Sequence, residues 1–83
     1  MKWGDFMYSL IKDYELSCSL IKKRIKFLTQ QRNMLIKSGE KRMVDDMNLE
    51  KRIRLLYVEY QQTMEIVEHL TNYARRVNKR VKT

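Results

Sequence analysis

Two long ladders of apolar residues, one on each side of Gly39, constrain this chain more than any other feature. Before Gly39, apolar residues recur every seven positions from Met7, and a second line begins four positions later at Ile11. After it, they alternate in steps of four and three from Leu49 onward. Such spacing keeps one stripe of an α-helix against a partner helix over many turns. The pattern predicts an all-α chain folded as a long antiparallel helical hairpin, which is a two-helix coiled coil.

The distribution of helix-breaking residues sets the expected helix boundaries. The 83-residue chain has no proline and only two glycines, Gly4 and Gly39, so nothing interrupts a helix on either side of the connection. We expect one domain with helices over about residues 5–38 and 46–79, a loop over about 39–45 and a basic C-terminal tail. At 1.5 Å per residue, each helix is about 50 Å long.

Polar residues near these boundaries are candidate helix caps. Asp5 is expected to cap the first helix, because its carboxylate accepts hydrogen bonds from free backbone N–H groups. Gly39 is expected to end that helix in the left-handed conformation, which glycine adopts without strain. Either Asp45 or Asp46 is expected to cap the second helix, and the sequence does not decide between them.

The register of the hairpin follows from aligning the two ladders in opposite directions. In this alignment Leu28 lies opposite Leu56, and several layers match a large residue with a smaller one, as interdigitated packing prefers. Arg32 is the charged exception within the ladder. The alignment places it close to Glu50, so we expect an ion pair near the loop.

Each helix also carries a second apolar stripe that one partner helix does not cover. On the first helix this stripe is displaced by about 100° from the ladder, as positions one residue apart are. A single hairpin would leave it in water, so we expect two hairpins to form a homodimeric four-helix bundle. The residues expected in this interface are Phe6, Leu20, Phe27 and Met34 of the first helix and Tyr57, Met64, Ile66 and Tyr73 of the second.

The chain is strongly basic, with 18 Lys and Arg residues against 10 Asp and Glu residues and a net charge of +8. This charge favours an acidic partner: nucleic acid, an anionic membrane or an acidic protein face. The alternative for each basic cluster is a solvated helix surface, and we expect that for Lys22, Lys23, Arg24 and Lys26, which fan around the helix. Possible contacts to nucleic acid or to an acidic partner are Arg75, Arg76, Lys79, Arg80 and Lys82.

Residues that carry catalysis or bind metals are sparse. Cys18 occupies a ladder position opposite Val67, where a free cysteine acts as a small hydrophobic residue. His69 is the only histidine and falls on the outer face without the second histidine or cysteine that a zinc site needs. Phosphate loops, dinucleotide fingerprints and nucleophile elbows are absent from the sequence. We expect no enzymatic activity, no cofactor and no metal.

The pattern of apolar residues and cysteine usage bear on location. No apolar run approaches the ~20 residues that span a bilayer. The single cysteine excludes an internal disulfide and fits a reducing compartment. We therefore expect a soluble, non-secreted, cytoplasmic protein without a membrane span.

Two resemblances accompany these patterns. Residues 20–25, Gly39 and residues 53–60 resemble the small helical-hairpin phosphatases that act on aspartyl-phosphate in sporulation control. That family carries a Ser-Gln-Glu-Leu-Asp signature on its second helix. The matching stretch here is Glu50-Lys51-Arg52-Ile53-Arg54, with Arg54 where the key aspartate belongs. The resemblance therefore implies a hairpin without the phosphatase activity.

The chain as a whole, from Met1-Lys2-Trp3 to Tyr73, is similar in style to short basic helical proteins encoded by phages and prophages of Gram-positive bacteria. This resemblance implies a host-directed or regulatory binding protein. We therefore expect a non-enzymatic protein that acts through protein–protein interaction, with a protein partner preferred over nucleic acid. The alternatives are a nucleic-acid-associated protein that uses the basic C-terminal segment and a structural assembly subunit.

Overall fold

A computed structural model describes the backbone of residues 3–81 and the side chains of residues 5–77. The described part of the chain is all-α, with helix α1 over Trp3–Lys37, helix α2 over Lys41–Asp46 and helix α3 over Leu49–Val81. The two long helices pack against each other and form a rod of 64 × 17 × 16 Å. The predicted all-α helical hairpin is confirmed.

The apolar ladders form the seam between α1 and α3. Every ladder residue with a described side chain is either buried or half-buried. Burial is deepest near the loop, where Leu49 is fully buried, and from Leu56 to Val77 the ladder of α3 is only half-buried. The core is therefore tightest at the loop end of the rod. The buried ladder residues are Met7, Ile11, Cys18, Ile25 and Leu28 of α1 and Leu49 and Ile53 of α3.

The end of α1 matches the predicted glycine stop. Gly39 has a φ of +78°, the left-handed region that favours glycine. Its N–H donates to the carbonyl of Ile36 (3.1 Å), and the N–H of Glu40 donates to the carbonyl of Leu35 (2.8 Å). These two bonds form a Schellman motif, which satisfies carbonyls at the helix end that would otherwise lack partners.

The connection contains a short helix where a loop over about 39–45 was expected. Helix α2 places Val44 in the core with 3% of its surface exposed. Val44 joins Leu28, Leu49 and Ile53 in one cluster of buried side chains. Burial of this one side chain explains why the segment is ordered, because six residues are too few for a helix to be stable in isolation.

The structure also corrects two predicted caps. Asp45 and Asp46 lie in the last turn of α2, so neither caps the second long helix. Helix α3 begins at Leu49, after Asn48 with a φ of 54°, a conformation that asparagine tolerates better than most residues. Asp5 lies within the first turn of α1, which begins at Trp3, and so does not precede the helix as an N-cap.

Contacts between the long helices agree with the predicted register. Leu56 packs against the buried cluster that contains Leu28 and Ile53. The guanidinium Nη1 of Arg32 lies 3.3 Å from Oε1 of Glu50, so the expected ion pair is present. The side chains are 26% and 54% exposed, and an ion pair this exposed contributes less than about 1 kcal/mol.

Candidate interaction surfaces

The seam between α1 and α3 divides the surface of the rod into two lateral sides. On one side, Arg24 of α1 and Glu59 of α3 line a shallow groove of about 290 Å³. On the other side, Lys22 and Lys26 of α1 line a groove of about 580 Å³ with Tyr57 of α3. Positions seven residues apart share a face of a packed helix. A residue that lies a multiple of seven positions from one that lines a groove therefore faces the same side of the rod.

On this side α3 carries three exposed apolar residues among polar ones such as Arg52 and Glu59. Leu55 lines the groove that contains Glu59, and it is 59% exposed. Steps of seven residues from Glu59 lead to Ile66 and Tyr73, which are 40% and 42% exposed. These three apolar side chains therefore face the same lateral side of the hairpin.

The same side of α1 carries the predicted second stripe. Leu20 and Phe27 lie four residues before and three residues after Arg24, so they neighbour it on the helix surface. They are 56% and 64% exposed. Steps of seven residues extend this line to Phe6 and Met34, which are 49% and 69% exposed. We call this surface the apolar side; its apolar residues are Phe6, Leu10, Leu20, Phe27 and Met34 of α1 and Leu55, Ile66 and Tyr73 of α3.

The residues predicted for the oligomer interface do not all share this surface. Tyr57 lines the groove of the opposite side. Met64 lines an adjacent groove of about 370 Å³ together with Lys22 and Glu15. The structure therefore brings Phe6, Leu20, Phe27, Met34, Ile66 and Tyr73 together and separates Tyr57 and Met64 from them.

The opposite side, which we call the lysine side, gathers basic residues that were expected to fan around the helix. Lys22, Lys23 and Lys26 line one groove whose apolar lining includes Ile25 and Tyr57. Arg24, the fourth member of the cluster, lies across the seam on the apolar side. Lys22 and Lys26 are four residues apart, so the sequence alone indicates that these two lysines share a face of the helix.

The basic C-terminal segment is helical as far as Val81. Helix α3 continues to Val81, two residues beyond the expected end. Arg75 and Arg76 are exposed and therefore accessible to an anionic partner. The side chains of Lys79, Arg80 and Lys82, which were predicted with them as contacts, lie outside the described residues.

The remaining candidate reactive side chains are Cys18, which is buried, and His69, which is exposed. Cys18 is buried in the seam, and burial raises the pKa of its thiol; the carboxylate of Glu15 raises this pKa further. The raised pKa disfavours the nucleophilic thiolate. His69 is exposed. Among the described residues, no three His, Cys, Asp or Glu side chains are grouped so that they could hold a metal ion.

Comparison with models of protein families, with curated proteins and with solved structures finds no match for this chain. None of the helices in the described part of the chain has both the length and the apolar character needed to cross a bilayer. The candidate sites therefore rest on the geometry of the chain itself.

Proposed function

We propose that this chain is a non-enzymatic helical protein that acts through protein–protein contacts, and that its apolar side binds a second copy to form a four-helix bundle. The observation that carries the proposal is the apolar side itself. Leu20, Phe27 and Leu55 are each more than half exposed there. Exposed apolar side chains gathered on one surface, here with Arg24, Arg52 and Glu59 between them, mark interaction sites in soluble proteins.

The dimensions of the rod suit such an interface. A side of 64 × 17 Å has a projected area of roughly 1,000 Å², and a stable interface needs about 800 Å² from each partner. The two long helices form a single layer, and the described part of the chain has no third long helix to cover this side. A second hairpin supplies the missing layer, as in other four-helix bundles.

The lysine side is available for another partner once the apolar side is covered. Lys22, Lys23 and Lys26 surround an apolar groove, which suits an acidic protein segment that also presents an apolar residue. We propose that this chain is a regulatory protein encoded by a phage or prophage, and that it binds an acidic protein partner in a reducing cytoplasm. Replacement of Lys22 and Lys26 by Glu should then abolish binding of an acidic peptide and leave the dimer intact.

Nucleic-acid binding is the second candidate, supported by the net charge of +8 and the exposure of Arg75 and Arg76. Binding to phosphates weakens steeply with salt and does not depend on sequence. Replacement of Arg75 and Lys79 by Ala should flatten the salt dependence of DNA binding by about one unit for each phosphate that is no longer neutralised. DNA binding that is undetectable at low salt would eliminate this candidate.

Self-association is tested by two matched double substitutions. Leu20→Glu with Phe27→Glu places two carboxylates on the apolar side, whereas Tyr57→Glu with Met64→Glu places two on the lysine side. Sedimentation equilibrium should give the 10.2 kDa monomer mass for the first variant and twice that mass for the second. Equal dissociation constants for the two variants would contradict the assignment of the interface to the apolar side.

A further inference from the structure

We infer that the lysine side holds an acidic amphipathic α-helix of about four turns, supplied by the partner protein and lying lengthwise between α1 and α3. This inference rests on the proposed acidic partner and specifies its secondary structure, its length and the spacing of its contact residues. The bound helix is then a third long helix beside α1 and α3. The shape, the lining and the charge of the lysine side each support this occupant.

The two grooves of the lysine side adjoin and form one trough. The larger groove, of about 580 Å³, and the smaller one, of about 370 Å³, share Ser19 and Lys22 in their walls. Along α1, the residues that line this trough run from Glu15 to Gln30, which is about 22 Å at 1.5 Å per residue. Because the trough lies between two packed helices, its long direction follows the rod. It therefore fits a helix of about four turns laid along the hairpin.

The floor of the trough is apolar. Tyr57 and Met64 of α3 line it and are 55% and 42% exposed, and Ile25 and Cys18 lie buried beside them. Tyr57 and Met64 are seven residues apart, so they lie on the same face of α3, two turns from each other. An amphipathic helix presents apolar residues with the same spacing. Such a helix covers both side chains at once.

The cations of the trough are gathered in one place. Lys22, Lys23 and Lys26 lie within little more than one turn of α1, and all three are exposed. Among residues 5–77, no carboxylate lies within ion-pair distance of their ammonium groups. A partner with carboxylates at this level gains charge-assisted contacts without first breaking an existing pair. Carboxylates four residues apart on a helix match the spacing of Lys22 and Lys26.

The far end of the trough favours a peptide helix over a strand of nucleic acid. Glu15 lines that end and is exposed. A nucleic acid carries a phosphate at every nucleotide, so a strand that fills the trough places negative charge against this carboxylate. In a peptide helix the charge differs from one position to the next. Carboxylates can therefore lie beside the lysines while neutral or basic residues lie beside Glu15.

The probe for this site is a fluorescein-labelled synthetic peptide of about 18 residues, which is five helical turns. It has a leucine at every third or fourth position, glutamates beside the leucine stripe in one half and glutamines beside it in the other half. Two comparison peptides change one property each. In the first every glutamate is replaced by glutamine, and in the second every leucine is replaced by alanine, which preserves the helix.

Fluorescence anisotropy should give a micromolar dissociation constant for the acidic leucine peptide, because the interface is small. Both comparison peptides should bind at least about tenfold more weakly. Equal binding of the alanine peptide would overturn the helix while leaving an acidic partner in place. Equal binding of the glutamine peptide would overturn the role of the lysines. If none of the three peptides bound, the inference and the acidic partner would both fail, while the mass of the native chain tests the dimer separately.

A matched pair of charge changes locates the peptide on the rod. Lys22→Glu with Lys26→Glu should weaken binding of the acidic leucine peptide by more than about tenfold. Lys41→Glu with Lys51→Glu changes the net charge by the same amount outside the trough, so it should weaken binding by less than about threefold. Equal losses for the two variants would show a response to net charge alone and would overturn the trough as the site.

A matched pair of apolar truncations tests the floor of the trough. Tyr57→Ala with Met64→Ala should weaken binding by at least about tenfold, because the leucines of the peptide lose their contacts. The control is Leu16→Ala with Val58→Ala, since these residues are 61% and 52% exposed and neither lines the two grooves. It should bind the peptide within about twofold of the native chain. Equal binding by the two variants, or displacement of the peptide by an equal concentration of oligothymidylate, would overturn an acidic helix as the occupant.

Discussion

Substitution of Val44 by Ala tests the short helix α2, which holds the loop end of the hairpin together. Val44 is 3% exposed and packs in one cluster with Leu28, Leu49 and Ile53. The change deletes two methyl groups from this cluster and leaves the backbone free to stay helical. The expected effect is a lower free energy of unfolding, with little change in helix content before unfolding begins.

The size of this effect follows from the two groups removed. Loss of two buried methyl groups lowers the free energy of unfolding by about 1.6 kcal/mol. A residual cavity of about 30–40 Å³ adds about 0.7–1 kcal/mol. The higher helix propensity of Ala offsets about 0.5 kcal/mol, so the free energy of unfolding should fall by about 2 kcal/mol.

Val58→Ala is the matched control, because it makes the same chemical change at a site on α3 that is 52% exposed. Val58 also lies outside the apolar side. Its substitution should change the free energy of unfolding by less than about 0.5 kcal/mol. The assay is urea unfolding followed by circular dichroism at 222 nm, at one protein concentration, because dimerisation makes stability depend on concentration. If both variants shifted the unfolding free energy equally, the packing of α2 against the core would be refuted.

Further substitutions and one chemical reaction test the seam, the loop and the buried thiol. Leu28→Ala should lower the free energy of unfolding by about 2–5 kcal/mol, and Lys23→Ala by less than about 0.5 kcal/mol; equal urea midpoints would contradict the ladder. Gly39→Ala should cost about 1 kcal/mol of backbone strain, since an added Cβ meets no atom within 4 Å, and an unchanged melting temperature would contradict the left-handed stop. The Cys18 thiol should react with iodoacetamide far more slowly in the folded chain than in urea. Folding raises the pKa of this thiol, so above about pH 8.5 the folded chain binds more protons than the unfolded chain does. The free energy of unfolding should therefore decline as the pH rises through that range.

The long helices and their seam were predictable because the signal repeats over many turns. Each ladder has enough seven-residue steps to outweigh single exceptions such as Arg32, and the sequence even placed that residue beside Glu50, where the structure shows the ion pair. The left-handed stop at Gly39 was predictable for a different reason. Few residues other than glycine adopt that conformation without strain.

The short helix α2 could not be predicted from periodicity, because six residues span less than two turns. The hint was Val44, an apolar residue in a largely polar segment, but only the packed structure shows that it enters the core. Asp45 and Asp46 looked like helix caps because the start of a helix favours such residues. In the packed structure these two residues end α2, and the second long helix begins at Leu49.

The division of the exposed apolar residues between two sides also required the structure. Tyr57 and Ile66 both flank the core stripe of α3, and the sequence pattern grouped them together. Their two sides differ in what α1 presents opposite them: lysines next to Tyr57, and Phe27 and Leu20 on the side of Ile66. That pairing depends on how the two helices face each other, so it emerges only from the folded hairpin.

The mass of the native chain in solution tests the central claim most directly. Light scattering behind a sizing column, at micromolar concentration and moderate salt, should report twice the 10.2 kDa mass of the chain. The apolar side is expected to hold the two copies together, so this mass should not depend on ionic strength. A mass of 10.2 kDa across the micromolar range would contradict the proposed dimer, and with it the role of the apolar side as the interface.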